Sequence, residues 1–428
     1  MRRFRDGLIA CALVAGSMNG AAAQQGAAPL RSLGQTYSAA VTASETIAIS
    51  EQSVLQARAL YDRAFGNSFP AASYRLLTNW LDGNPRGQYA TGAMSQSDLG
   101  LRLAQTNLTV YGDVARTKAA KAQIGVQAET ELRARQLLLV TVAGGFFGWL
   151  QAQDNVETTT RLKEFADKRL AKLHEWVRVG RSREADALAQ DSQISSLDSQ
   201  LEESRRQVDA RGDLLSYLTK STVLPQASDA PLAAAPKPLA DYLARLGSRP
   251  DVRAASDQVE TSRQTVRVAT AERFPQISLL GDLYNSRPST RLSSRWDAQL
   301  AVSVPLFSFG AINADVKFAK EGLTAQELAL QSVTRQADLD IRNSYRDYLS
   351  ARRQLDIQQK AVELAERDFE LQRQDEQRGL VTAIDVLQSL DRLNTARLAR
   401  ANALLTARLS AIQLEVSAGA KPEEMDLR

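Results

Sequence analysis

Ser303-Val304-Pro305-Leu306-Phe307-Ser308-Phe309-Gly310 joins two stretches of opposite character. Before it, Trp296 to Val304 alternates apolar and polar residues, the period of a half-buried strand. After it, from about Ala311 to Gln377, Pro and Gly almost vanish and the residues favour helix. Pro305 has no N–H to give to a ladder and cannot sit inside a helix, so it suits a corner between them. Gly310 tolerates the dihedrals that a sharp bend demands. A strand feeding a very long helix makes sense if the two lie in different solvents, the strand in a bilayer and the helix in water.

The rest of the chain fits that division. Of its 428 residues, 44% are hydrophobic and 24% charged, with only 12 Pro, which excludes disorder by composition. Residues 1–23 read as a signal peptide: Arg2, Arg3 and Arg5, a short apolar run from Leu8 to Ala15, and a small-residue site at Ala21-Ala22-Ala23. The apolar run is too short to be a membrane-anchor helix, which needs about 20 residues. Cys11, the one cysteine, lies in this segment, and too few apolar residues precede it for a lipoprotein signal core. The mature chain then has no thiol or disulfide chemistry. A net charge of +4, with the signal's arginines contributing, is no nucleic-acid footprint.

Taken in order, Gln35 to Arg63 suits a helix ended by Phe69-Pro70. Ala72, Tyr74, Leu76 and Trp80 then alternate with Ser73, Arg75 and Asn79. After a polar loop, Leu99, Leu101 and Leu103 alternate with Asp98, Gly100 and Arg102. An apolar face backed by charges is the pattern of a barrel strand between lipid and a wet lumen. A strand of a soluble sandwich is the plainer alternative, but the chain has too few other strands to build one. Asp113 to Val177 is helix-like, with Gly144-Gly145 as a point of weakness, and a returning helix follows to Thr219. Residues 221–248 hold Pro225, Pro231, Pro236 and Pro238 and read as an irregular linker.

After Arg249-Pro250 the order repeats. Phe274-Pro275 answers Phe69-Pro70, and Ile277, Leu279 and Leu283 open a strand. Trp296, Ala298, Leu300, Val302 and Val304 form another. Gly310 answers Gly112. Tyr345 and Tyr348 answer Phe146 and Trp149, and Gly379 and Asp385 answer Gly180 and Asp186. The chain is a tandem duplication: residues 24–220 and 249–418 are the repeats, and 419–428 form a tail. In the second long helix, Ile341, Tyr348, Leu355, Val362 and Phe369 recur every seven residues, and so do Ile357, Leu364 and Leu371. These stripes face nearly opposite ways, as in a helix set in a wall with a neighbour on each side.

Chemistry-bearing constellations are absent. There is one His, His174, on a charged helix face, and no nucleotide-binding loop of Walker spacing. No catalytic residue, metal site or cofactor is expected.

The duplicated order, with Arg249-Pro250-Asp251, Phe274-Pro275, Val304-Pro305-Leu306-Phe307 through Gly310, and Gly379 through Asp385-Val386-Leu387, resembles the TolC-type outer-membrane efflux and secretion channels. It covers nearly the whole mature chain. The first repeat departs at its strand–helix corner, where Asn107-Leu108 replaces Pro305-Leu306 and a more relaxed corner is expected. The resemblance implies an α+β membrane protein: a homotrimer whose twelve strands close one transmembrane β-barrel, continued by a long periplasmic α-helical barrel. Barrel closure also follows from physics, because the open edges of a single chain's sheet are not tolerated in lipid. The implied setting is the outer membrane of a Gram-negative bacterium, the helices in the periplasm, and the implied role a passive conduit for efflux or type I secretion.

The same resemblance makes Val179-Gly180-Arg181 and Arg378-Gly379-Leu380 the periplasmic tips that meet an adaptor (membrane fusion) protein, itself joined to an inner-membrane pump. Glycine after a helix is also ordinary capping. It makes Asp385, with its counterpart Asp186, a candidate for the tunnel entrance, where three chains would form a carboxylate ring. Thr382 and Asp385 equally have the spacing of a capping box. Gln388 stands where the family often has a second acid, so a weaker gate is expected. Trp80 and Trp296 fall at the loop ends of their strands, where an aromatic girdle meets the outer interface. An exported structural coiled coil or a periplasmic adaptor are the alternatives; the first needs no alternating strands, the second a lipoyl-like β-rich half, which is not found.

Overall fold

The computed structural model describes residues 32–80, 95–221, 235–286 and 294–425. The expected signal segment with Cys11, most of both polar strand–strand loops, and Pro225 and Pro231 of the linker lie outside the described residues.

Helices α1 (Leu33–Ala43) and α2 (Glu45–Gly66) come first. The sequence predicts a single helix here, but Ser44 leaves helical geometry (φ −76°, ψ 118°) and its hydroxyl accepts a hydrogen bond from the Ile47 N–H, starting a second helix. Strands β1 (Ala71–Trp80) and β2 (Ser95–Leu108) lead into α3 (Val110–Arg178), 69 residues and roughly 100 Å long. Helix α4 (Glu184–Thr219) returns. A short α5 (Leu239–Leu243) precedes α6 (Pro250–Ala271), which carries Pro250 in its first turn, where a missing N–H costs nothing. Strands β3 (Gln276–Ser286) and β4 (Trp296–Ser303) and helices α7 (Ala311–Gln377) and α8 (Ala383–Ser417) repeat the order of the first half.

Two expectations are corrected. Helix α3 runs through Gly144-Gly145 without a break. A Cβ on Gly145 would lie 3.1 Å from the Leu215 side chain, so this glycine lets α4 approach closely. The first strand–helix corner is the tighter of the two, not the more relaxed. Leu108 can still pair with Ile277 after a register shift, so β2 runs to Leu108 and only Thr109 precedes α3. Pro305 cannot, so β4 stops at Ser303 and the chain needs Val304–Gly310 to turn. Phe309 and Gly310 make that turn at φ 49° and 87°.

The four strands form one antiparallel sheet in the order β1-β2-β3-β4. Among the helices, α3 packs on α2, α6, α4 and α8, and α7 packs on α6 and α8. The largest core lies midway along α3, where Leu139, Val142, Phe146 and Trp149 bury against α1 and the ends of α4 and α8. The repeat builds its own version: Ile341 and Tyr348 of α7 bury against Tyr242 of α5 and Leu414 of α8. The positions paired by the duplication, Trp149 and Tyr348, therefore serve equivalent cores.

Arg249 ties these parts together. It is fully buried at the start of α6 and donates to the carbonyls of Ala337 in α7 and Ser417 in α8. It also pairs with Asp251 at 2.5 Å and with Asp340 at 3.3 Å. Gly419 turns at φ 84° directly over it; a Cβ there would lie 3.1 Å from the Arg249 Cα.

Arg249→Ala would leave two carboxylates and two buried carbonyls without their partner, a loss of about 3–5 kcal/mol. Denaturation followed by helical circular dichroism should show a lowered midpoint; an unchanged midpoint would contradict the clamp. Burial pushes the Asp251 carboxyl up, but the Arg249 guanidinium pulls it further down, so it stays below the usual aspartate range. A depressed folded pKa means that the stabilisation is complete above the unfolded value. It is lost as pH falls through the folded one, so Asp251→Asn should flatten the acid limb of the same titration.

Candidate functional site

The strand register sorts the sheet into two faces. Ala72, Tyr74 and Leu76 of β1 stand opposite Leu103, Leu101 and Leu99 of β2. Leu101 stands opposite Leu283 of β3, and Leu283, Leu279 and Ile277 face Trp296, Leu300 and Val302 of β4. One apolar face thus crosses all four strands, and it is exposed: Leu300 shows 67% of its surface. The opposite face carries Arg75, Asp98, Arg102, Asp282, Asp297 and Gln299, with Leu77 and Leu280 as exceptions. There Arg102 donates two hydrogen bonds of 2.7 Å to Asp282, across the β2–β3 junction that joins the two repeats. Tyr284 donates to Asp297 at 2.9 Å. In a soluble sheet the apolar face would be covered and the charged one wet. Here the apolar face is uncovered, which water does not favour and lipid does.

Trp296 opens β4 at its loop end, opposite Leu283 on the apolar face, and is largely exposed. Trp80 closes β1 at the same end, opposite Ser95; its side chain is outside the described residues.

The two stripes of α7 have different fates. Ile341, Tyr348, Leu355 and Val362 are buried within the chain, and Phe369 meets Phe165 of α3 edge-on at 5.3 Å. Ile357, Leu364 and Leu371 are exposed, Leu364 by 70%.

The far ends of the helices are twin turns. At the first, Gly180 has φ 76° and the Arg181 N–H donates to Trp176 C=O at 2.8 Å. At the second, Gly379 has φ 74° and the Leu380 N–H donates to Asp375 C=O at 2.9 Å. Both close their helix with the same six-to-one bond, which needs a residue tolerant of positive φ. Val179, Arg181, Arg378 and Leu380 are all exposed, so each turn offers a cation beside an apolar side chain. His174, one turn earlier, is exposed on the helix face.

Each turn then starts its returning helix with a capping box. Asp186 accepts from the Arg183 N–H at 3.2 Å, and Asp385 from the Thr382 N–H at 2.8 Å. The Thr382 hydroxyl donates a further 2.6 Å bond, and these bonds hold the Asp385 carboxyl below the usual aspartate range. The capping role of Asp385 is therefore realised, and it leaves the carboxylate charged. Gln388, one turn on, is exposed.

Sequence reasoning missed what fastens the two hairpins to each other. Arg169 of α3 pairs with Glu376 at the end of α7, both nearly buried. Burial pushes the Glu376 carboxyl up and the Arg169 guanidinium down, against their mutual attraction. Asn394 of α8 donates to Gln200 of α4 at 2.9 Å. Among the described residues no helix is long and apolar enough to cross a membrane, and no cluster of His, Cys, Asp and Glu could hold a metal.

Comparison with known proteins shows what this geometry is similar to. Residues 244–420 match the outer membrane efflux protein family. The solvent efflux pump outer membrane protein SrpC of Pseudomonas putida is 26% identical over 376 residues, which cover 82% of this chain and 77% of that one. The toluene efflux pump outer membrane protein TtgI of Pseudomonas putida matches equally. Among solved structures, CusC superposes with a TM-score of 0.80 at 19% identity, covering 91% of this chain and 92% of its own. The open-state MtrE outer membrane channel of Neisseria gonorrhoeae has a TM-score of 0.76 at 20% identity, covering 91% and 89%. The fold is that of these channel proteins: a helical barrel wall joined to a β domain.

The two sheet faces give a direct test. Arg in place of Leu300 or Val302 should cost about 2–4 kcal/mol near the membrane midplane, and Arg in place of Gln299 or Ser303 much less. Folded yield in the membrane fraction reads the difference. Equal losses on both faces would contradict the face assignment.

Proposed function

We propose that this chain is a member of the outer-membrane efflux channel family and the outer-membrane conduit of a tripartite efflux pump. The observation that carries the reading is the uncovered apolar face of a sheet with two open edges, continuous with helices roughly 100 Å long. A lone four-stranded sheet leaves β1 and β4 with unpaired backbone groups, at a cost of several kcal/mol each in hydrocarbon. Copies arranged in a ring remove both edges. The number three comes from the resemblance, and twelve strands then enclose a lumen lined by the Arg102 and Asp282 face. The exposed stripe of Ile357, Leu364 and Leu371 on α7 meets the next copy in the helical wall.

In this reading residues 24–220 and 249–418 are the two repeats of each subunit, the linker 221–248 belts the outside, and 419–428 is a tail. The turns Val179-Gly180-Arg181 and Arg378-Gly379-Leu380 receive the periplasmic adaptor protein, which connects to the inner-membrane pump. The protein itself does no chemistry and supplies no energy. The names of the relatives, solvent and toluene efflux pump components, support efflux over protein secretion. Asp385 from three chains lies at the tunnel entrance, with Asp186 of the outer hairpin as its counterpart. The caps described above keep these carboxylates charged, which favours cations at the entrance.

Two measurements test this. Mass determination in detergent should give a trimer; a stable monomer would overturn the conduit. Asp385→Asn should leave trimers intact, since Asn also caps helices, while weakening the block of single-channel current by multivalent cations. With Gln388 in place of a second acid, that block should already be modest in the parent. Unchanged block in the Asn variant would refute the ring and leave the conduit standing.

A further inference from the structure

Among the described residues, nothing covers the large apolar side chains of the corner that opens the sequence reading. Leu306 is 93% exposed and Phe309 92%, although both are large and apolar. Phe307 and Phe309 touch only edge-on, at 4.5 Å. The duplication shows where such a corner belongs. At the matching place in the first repeat, Tyr111 stands where the second repeat has Phe309, and Tyr111 lies against Phe274 at 5.7 Å. Phe274, just after α6, is the counterpart of Phe69, just after α2, each followed by Pro at the entry to a strand. Next to it, Gly112 approaches Ala271 so closely that a Cβ on the glycine would lie 3.2 Å from the alanine's. Their counterparts are Gly310 and Gly66, with no neighbour within 4 Å of either Cβ position.

The contacts between elements continue the same series. Within the chain, α3 packs on α6 and β2 pairs with β3, joining the first repeat to the second. The equivalent step after the second repeat joins α7 to α2 and β4 to β1, and only another copy can supply them. Antiparallel pairing of β4 with that β1 brings the end of β4 level with the start of β1. The corner of one copy then lies beside the last turns of α2 in the next. That place is aromatic and hollow. Tyr61 stacks on Phe65 at 6.4 Å and Phe65 meets Phe69 edge-on at 5.1 Å, beside a groove of about 440 Å³ that Leu108 and Val114 help to line.

We infer that the Leu306–Phe309 corner of one subunit docks on the Tyr61, Phe65 and Phe69 patch of the next, with Phe309 against Phe69. The inference rests on the ring-closing reading above and names the contact that seals the ring where barrel meets helices. Gly310 faces Gly66 there, two positions without side chains, so the backbones can approach as Gly112 and Ala271 do.

Cys11 is the chain's single natural cysteine, so a Cys11→Ala background makes the test clean. Purified trimers of the Phe69→Cys, Phe309→Cys double variant, treated with a short bismaleimide, should run as covalent dimers and trimers on denaturing gels. Either single variant should stay monomeric. Phe309→Ala should lower the temperature at which trimers dissociate by several degrees, and Phe309→Leu should retain most of it. Intact trimers that refuse the cross-link and dissociate unchanged in Phe309→Ala would overturn the docking and leave the corner facing lipid. A parent protein without trimers would overturn the ring-closing reading itself.

Discussion

A backbone N–H or C=O placed in hydrocarbon must be paired within protein, because no water is there to replace the partner. The four-stranded sheet satisfies this inside the chain and fails it at β1 and β4. Its apolar face fails the complementary demand of water. A single solvent cannot suit both faces, and a single copy cannot close both edges. A ring of copies in a bilayer resolves both with one arrangement, and the other features of the molecule follow from it. In the proposed ring the helices inherit the circumference set by the strands and form a wall rather than a bundle.

Duplication is what makes the wall regular. Each repeat supplies two strands, one helix running the full depth and one returning helix, and the junction between repeats inside the chain foreshadows the junction between chains. The inner junction is held by the Arg102–Asp282 pair in the sheet, by Tyr111 on Phe274 at the corner, and by Arg169–Glu376 near the turns. The last of these is the more buried of the two ion pairs. Burial works against both charges, so the second hairpin is fastened near its turn by a pair that gains little on closing. The firmest fastening, Arg249 with its two carboxylates and two carbonyls, lies far from the turns, at the junction of α6, α7 and α8.

Much of this was legible in the residues because the signals are periodic. The near absence of Pro and Gly marks α7 from Ala311 to Gln377, and strict alternation gives the strand faces, because side chains in a strand have no other choice. The twin turns were legible because both need glycine at positive φ, and Thr382 with Asp385 has the spacing of a capping box. The errors fell where local residues leave the outcome to distant ones. Ser44 can sit inside a helix or cap one, and α1 packing on α3 selects the cap. Gly145 looks like a weak point until Leu215 is seen beside it. Asn107-Leu108 looks looser than Pro305-Leu306, yet Leu108 still pairs with Ile277 and the strand runs longer. Arg169 gave no local hint of burial, since Glu376 lies on another helix, and Arg249 gave little, since apart from Asp251 its partners lie on α7 and α8.

The central claim is that β1 and β4 are not edges in the working molecule. Amide hydrogen exchange of the protein reconstituted in lipid reads this strand by strand. If copies close the ring, the amides of Ala71–Trp80 and Trp296–Ser303 will be as protected as those of the inner strands β2 and β3. Every second amide of β1 and β4 exchanging freely while β2 and β3 stay protected would contradict the account.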